Sequence, residues 1–533
     1  MKTRSFLFLT GIIFLTILAY RDCVKNNFVF DDHCFVEKNP HIKSLKNITR
    51  FFTTPVSTTA SVKWKGIYRP LRTLSYALEY KLYKLNPGGY HFTNLLLHIL
   101  NIIMVFIFLN LLVDEKKIAI LATFLFALHP VQSEAVLWIG SRADLLLGFF
   151  ELLAVITFLK FIRTGNRKYY WWSIVNFLLA LLSKETAITT PLIFAMLLFA
   201  LNKKVDRKIV LLPFIIAIVY LPIRIYLMQG FAQREWWGGS FATNFLTAIK
   251  LISHYIYLLI FPYHLSIDYG FKPAQSFFDP LVITSVLIIS VLLWWSYKCR
   301  KSGQNMHWLG IAWFFILLAP CLNFIPITTI TGDRFLYLSS LGLFLSSSSI
   351  IFSLKTNQIK TISFFLIFVL AITYVATIRK RTREWNNDYT LFASVLKYNP
   401  NSWMSYQNLG TWYYQRKDYE NAKKYFLKAK KIRGDDALTC KSLGLIYLET
   451  GKIDKAQKYF LKALLLNPRD IEMGNLVAIT LELQKKYGIA EELYRRYLEI
   501  DPHNQNIKRN LYSLYSRLKK FRKSSSQTGQ RLQ

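Results

Sequence analysis

The chain is a succession of long apolar runs separated by short basic loops, and that alternation limits what it can fold into. Stretches such as Ile118–Leu128, Leu145–Phe158, Ile209–Tyr220 and Leu281–Trp295 carry almost no charge. A helix needs about 20 apolar residues to cross a bilayer. A buried helix in a water-soluble core would explain one or two of the shorter runs, but not so many in a row. The chain therefore reads as an all-α, polytopic membrane bundle. Candidate spans are 5–20, 92–113, 118–133, 143–162, 170–183, 186–201, 209–227, 280–297, 307–322, 335–353 and 360–378, about eleven in all. The segment 245–262 contains Lys250, Ser253 and His254 and is set aside as re-entrant or interfacial.

Orientation follows from the loops. Met1-Lys2-Thr3-Arg4 precedes the apolar stretch Phe6–Ala19, and Tyr20-Arg21-Asp22 offers no small-residue cleavage site. This reads as an uncleaved first helix with a cytoplasmic N-terminus. An odd number of spans then puts the short basic loops inside: Lys116-Lys117; Arg163, Arg167 and Lys168; Lys203-Lys204, Arg207 and Lys208; Lys298, Arg300 and Lys301; Lys355 and Lys360. Counting 245–262 as a span would move the Lys298–Lys301 loop outside. The cluster Arg379-Lys380-Arg381 with Arg383 lies outside and opposes the scheme. The net charge of +36, from 67 basic and 31 acidic residues, sits mainly between apolar runs. That points to anionic lipids as partners, and not to nucleic acid. None of the five cysteines forms a CxxC pair; Cys23 and Cys34 either bridge within the first loop or stay unpaired. The first outer loop, 21–90, holds Pro40, Pro55, Pro70 and Pro87 and reads as short helices on the outer surface.

The C-terminal third repeats with a period of 34, seen in Pro400, Gly434, Pro468 and Pro502. Gly410, Gly444 and Ala478 keep the same step, as do Ala422, Ala456 and Ala490, and Phe426, Phe460 and Tyr494. Small residues let paired helices approach, an aromatic fills the gap and proline ends the second helix, which is the tetratricopeptide pattern. The domains are thus a membrane domain over 1–380 and a repeat solenoid over 385–522. The solenoid comprises a half repeat at 385–398, three full repeats and a capping helix at 504–521. A polar tail, 523–533, reads as disordered.

Under this topology the polar motifs share one face: Asp31-Asp32-His33, His129-Pro130 with Glu134, Arg142 and Asp144, Lys184-Glu185, Asp268, and Gly332-Asp333-Arg334. Ionisable groups at a membrane edge are costly and often functional. Asp31 and Asp32 follow Phe28-Val29-Phe30, and a carboxylate among aromatics can take a raised pKa and act as a general base. A helix cap is the plainer role for either aspartate. Arg142, Lys184 and Arg334 are candidate cations, unless each is used up by the neighbouring acid Asp144, Glu185 or Asp333. His91 and His98 are seven apart, so they share a helix face two turns apart and form no HxxxH pair. With His129 they read as packing or hydrogen-bonding groups, and no metal is assigned.

The ordered motifs Asn27-Phe28-Val29-Phe30-Asp31-Asp32, Tyr68-Arg69-Pro70-Leu71, Asn86-Pro87-Gly88-Gly89-Tyr90-His91 with Asn94 and His98, Ala127-Leu128-His129-Pro130 with Glu134-Ala135-Val136, Ser183-Lys184-Glu185 and Gly332-Asp333-Arg334-Phe335-Leu336-Tyr337 resemble those of the transmembrane and tetratricopeptide-repeat O-mannosyltransferases. These belong to the C-type glycosyltransferase superfamily. The resemblance covers nearly the whole chain. It implies a multi-pass enzyme that moves mannose from a polyprenyl-phosphate donor to serine or threonine hydroxyls of proteins on the non-cytoplasmic side. It also implies a base at Asp31 or Asp32. Donor-phosphate or substrate binding then falls to Arg69, His129, Glu134, Arg142, Asp144, Lys184, Glu185, Asp333 and Arg334. No cofactor is implied beyond the lipid-linked sugar, and a divalent metal stays open because superfamily members differ. The setting would be the inner membrane of a prokaryote or the endoplasmic reticulum of a eukaryote, with the repeats non-cytoplasmic and their groove contacting the protein acceptor. Two other functions fit the same features: a non-catalytic membrane scaffold, and a transferase acting on lipid or polysaccharide.

Overall fold

A computed structural model describes residues 2–54, 67–202, 206–228, 235–325, 327, 329–353 and 357–529. Pro55, Lys203-Lys204 and Lys355, which carry part of the loop reading, lie outside the described residues. The described residues are helical and contain no strand. The chain divides into two compact units, Met1–Ser394 and Val395–Gln533. The boundary expected at 380–385 therefore falls later, within the helix Asp388–Tyr398.

In the first unit, six helices of the described residues are long and apolar enough to cross a membrane: Ser5–Lys25, Pro87–Leu112, Ile139–Thr164, Lys208–Leu227, Phe241–Ile260 and Pro280–Lys301. The chain is on this ground a multi-pass membrane protein. The count of about eleven is not reached by length and composition, because several expected spans are cut short. The run 118–133 stops at Leu128 and bends by 50° into the short helix that follows. His129-Pro130 causes the break, since proline cannot continue the hydrogen-bond ladder. Apolar helices at Glu185–Ala200, Asn305–Cys321 and Ser340–Ser353 are shorter than a typical span. Two of these cross closely: a Cβ on Gly310 would overlap the Gly342 carbonyl, and one on Gly342 the Gly310 carbonyl.

The helix Phe241–Ile260 is continuous and passes the length test, although its sequence argued against a span. Its contacts explain the polar residues. Asn244, near one end, donates to the Asn323 carbonyl at 2.8 Å. Near the other end the Leu259 carbonyl meets His129 Nε2 at 3.0 Å. Lys250 pairs with Asp279 at 2.8 Å. Asn244, Thr247 and Lys250 face inward, whereas Phe245, Tyr257 and Ile260 are exposed.

The basic cluster after the last apolar segment is partly absorbed by the fold. Helix Asn357–Glu384 carries Arg379 to the Leu18 carbonyl at 3.3 Å and buries Arg381, which bonds Glu384 at 2.8 Å and the Leu265 carbonyl at 2.9 Å. Cys23 is buried and forms no disulfide with Cys34.

In the second unit, Trp403–Gln415 with Tyr419–Arg433, Ala437–Glu449 with Ile453–Leu466, and Ile471–Leu483 with Tyr487–Ile500 form three helix pairs. Ala422, Ala456, Ala490, Phe426, Phe460 and Tyr494 are buried together. A Cβ on Gly410 would come within 2.6 Å of the Phe426 ring, and one on Gly444 within 2.5 Å of Phe460, so only glycine fits there. Each pair is joined by a residue in the left-handed region, Lys417 (φ 61), Gly451 (φ 72) and Lys485 (φ 64), again 34 apart. The capping helix runs from Gln505 to Gly529.

Candidate active site

The two aspartates of the first loop have different surroundings. Asp32 is fully buried, and both its oxygens are taken: one accepts the Val29 N–H at 3.2 Å, the other the Gly140 N–H at 2.7 Å. It stands at the N-cap position of His33–Glu37 without bonding that turn, so the capping role is not the one it plays. Asp31 is half-buried, and its carboxylate accepts no hydrogen bond from any described residue. Burial pushes Asp31 up to about 7 against the pull of the Arg334, Arg72 and His33 cations. Burial pushes Asp32 up to about 8, and its two backbone N–H donors and His33 oppose the rise. His33 bonds Glu37 at 2.6 Å and Asp388 at 2.8 Å. Burial disfavours its charge, but these two carboxylates prevail and raise it to about 9.

The remaining motif residues pair differently from the nearest-acid expectation. Arg142 does not pair with Asp144: it is fully buried and bonds Glu79 at 2.9 Å, the Tyr90 carbonyl at 2.8 Å and Asn94. Lys184 meets Asp144 at 2.5 Å, not Glu185. Glu185 receives a two-pronged bond from Arg69, at 2.8 and 3.1 Å, and a second guanidinium, Arg224, at 3.3 Å. Arg334 pairs with Glu134 and not with its neighbour Asp333; its backbone N–H also reaches Glu134, at 3.2 Å. Asp333 faces Arg381 at 3.9 Å and accepts from the Tyr269 hydroxyl. Asp268 caps its own turn through the Gly270 N–H at 2.9 Å.

These pairings separate supporting groups from accessible ones. Arg142 and Glu79 are buried and lock the helix Pro70–Tyr83 onto Arg142–Thr164. His129 is buried with both ring nitrogens bonded within the protein, to Leu259 and Val131. His98 bonds Tyr337 and the Ala127 carbonyl, and His91 approaches the Asn27 carbonyl. Arg69, Glu185 and Arg334 keep partial exposure, with side chains 19%, 29% and 15% accessible. Asp144, Lys184, Glu151, Arg334, Phe335 and Tyr337 line a small cavity. Arg334 lies 5.0 Å over the Trp138 ring and 4.7 Å over Phe335. Among the described residues, Asp31 is thus a carboxylate without a hydrogen-bond partner, within electrostatic reach of Arg334, which with Lys184, Asp144 and Glu151 lines the cavity; such an arrangement can take a proton and meet an anion.

Several contributors were not singled out from sequence. Glu79 lies in an unremarkable amphipathic helix. Arg224 did carry a signal, as a charge inside the apolar helix Arg207–Leu227. Arg72 is 1% exposed, stacks 4.1 Å over Phe35, and has Nε and Nη2 without a partner among the described residues.

Comparison with known proteins adds relatives. Two stretches, 405–436 and 437–470, match tetratricopeptide-repeat models. Protein O-mannosyl-transferase F38B6.6 of Caenorhabditis elegans is 28% identical over 423 residues, covering 75% of this chain and 59% of the relative. Human Protein O-mannosyl-transferase TMTC3 is 26% identical over 479 residues, covering 80% and 51%. Drosophila melanogaster Protein O-mannosyl-transferase Tmtc1 is 33% identical over 190 residues, covering 35% and 22%. Each of these three relatives is named a protein O-mannosyl-transferase. The resemblance carried by the Phe-Asp-Asp, His-Pro and Gly-Asp-Arg motifs is thereby met by relatives along most of the chain. The chain spans between half and three fifths of the length of the first two of these relatives.

Proposed function

We propose that the protein transfers a mannosyl group from a polyprenyl-phosphate donor to serine or threonine hydroxyls of protein acceptors on the non-cytoplasmic side, with Asp31 as the general base. The observation that carries the assignment is the contrast within the aspartate pair. Asp32 has both oxygens occupied by backbone donors, whereas the Asp31 carboxylate is unbonded among the described residues. In the step, the acceptor Oγ forms the new bond to the sugar C1 while the C1–O bond to phosphate breaks. The electron pair leaves with the polyprenyl phosphate, and the hydroxyl proton passes to Asp31. A lipid phosphate needs no acid to depart, so the site's remaining task is to offset its charge. Arg334 and Lys184, which line the cavity, and Arg69 suit that task, each held by a carboxylate partner.

The topology belongs to the same reading. The N-terminus is cytoplasmic and the repeats are outside, in the inner membrane of a prokaryote or the endoplasmic reticulum of a eukaryote. Helix Phe241–Ile260 lies along the outer interface, because residues near its two ends bond loops that this topology puts on one face, at Asn323 and His129. A repeat groove commonly binds peptide, which favours a protein acceptor.

The test compares Asp31→Asn and Asp32→Asn in membranes supplied with labelled polyprenyl-phosphate mannose. Loss of a general base costs about 10²–10⁴ in rate. Asp31→Asn should show that loss with normal protein levels, while Asp32→Asn should also reduce folded protein. Wild-type transfer by Asp31→Asn would remove Asp31 from this role.

A further inference from the structure

We propose that Asp388 is a positioning residue for the base: it holds the Phe28–His33 loop in the conformation that leaves the Asp31 carboxylate without a hydrogen-bond partner among the described residues. The inference rests on the reading of Asp31 given above. One Asp388 oxygen accepts the Phe30 N–H at 2.8 Å, and the other lies 2.8 Å from His33 Nε2. A single carboxylate thus grips the loop on both sides of the aspartate pair.

What it grips needs holding. Phe30 has a φ of 56, a left-handed conformation that an aromatic residue keeps only where its surroundings impose it. Its ring is fixed 5.7 Å from Trp138 and 5.8 Å from Phe392, one turn beyond Asp388. The preceding segment adds backbone links, Asn27 N–H to the Asn386 carbonyl at 2.9 Å and Asn26 to the Thr382 carbonyl at 3.0 Å. Asp388 is itself fixed at the start of its helix, where Asn387 and Thr390 bond each other's backbone at 3.1 Å. The positive end of that helix favours its carboxylate.

The second consequence is electrostatic. The charged groups facing His33 are Glu37 on its own turn, Asp388 on the helix, and Asp31 and Asp32 beside it in the loop. With Asp388 present, His33 stays a cation up to about pH 9 and favours the ionised form of the base.

The experiment uses the full chain in membranes, comparing wild type, Asp388→Asn and Asp388→Glu with labelled polyprenyl-phosphate mannose. A misplaced base costs about 10- to 100-fold, so kcat should fall by that factor in Asp388→Asn while the donor KM moves by less than about twofold. The alkaline limb of the pH profile should shift below about 9, because His33 then loses its proton sooner. Asp388→Glu should recover part of both. Hydrogen exchange should quicken in residues 27–37 and nowhere else in the membrane unit. Unchanged kcat and profile overturn the proposal, as does quickened exchange throughout that unit. If wild type transfers nothing, the reading of the reaction fails by itself. The exchange data still decide the positioning role: faster exchange confined to the loop supports it, and unchanged exchange overturns it.

Discussion

In the membrane unit the ion pairs are taken out of water: the side chains of Arg142 and Glu79 are 0% and 6% exposed, and those of Lys184 and Asp144 are 5% and 7%. In the repeat unit Asp435 sits between Lys430 and Lys462, with side chains 37%, 29% and 36% exposed. The same chemistry does different work in the two places. Desolvating two charges costs several kcal/mol per ion, so a buried pair is a poor source of stability compared with apolar packing. An exposed pair costs little and contributes little. The membrane unit therefore keeps an arrangement that stability alone does not favour, and the repeat unit relies on shape.

That contrast can be broken by removing one partner at a time. Arg142→Met leaves Glu79 buried without a counter-charge and should cost about 3–5 kcal/mol, read as a large drop in melting temperature in detergent. A loss below about 1 kcal/mol would mean that Glu79 is neutral or reaches water. Gly444→Ala places a methyl group against Phe460 and should cost about 1–3 kcal/mol in the melting of the repeats. An unchanged melt would show that the helix pair can part without penalty. The third test sharpens the role of burial at the base. Burial raises Asp31 to about 7, so if it is the base of the proposed transfer, that transfer should fall as pH drops through 7. Below that point the fall should be about tenfold per unit. His33→Gln removes a cation and should move the limb to higher pH. A limb in the ordinary carboxylate range would contradict the enclosed setting of Asp31. The smallest effect is expected at the surface, where Lys462→Ala should change stability by less than about 1 kcal/mol.

The two units also differ in what their residues announce. The repeats are legible because each decisive contact recurs after 34 residues: Gly410 meets Phe426 just as Gly444 meets Phe460. Even there, Lys417 and Lys485 carry the left-handed turn without glycine, and nothing local marks them. In the membrane unit the motif residues are legible as ionisable groups between apolar runs, but their pairing is not. Arg142 reaches 63 residues to Glu79, and Arg334 reaches 200 to Glu134, past nearer acids. No periodic pattern encodes such a separation. Span ends are not legible where a polar break interrupts an apolar run, as at His129-Pro130, because composition does not report a bend.

The bond between His33 and Asp388 joins residues 355 apart, which bears on how the protein is made. Ribosomes add about 5–20 residues per second, so the Phe28–His33 loop waits some 20 to 70 s for its clasp to be synthesised. Until Asp388 emerges, Phe30 has no reason to hold its left-handed turn and His33 lacks one of its two carboxylates. The first-loop conformation is thus completed only after the apolar helices that precede Asp388 in the chain have been synthesised.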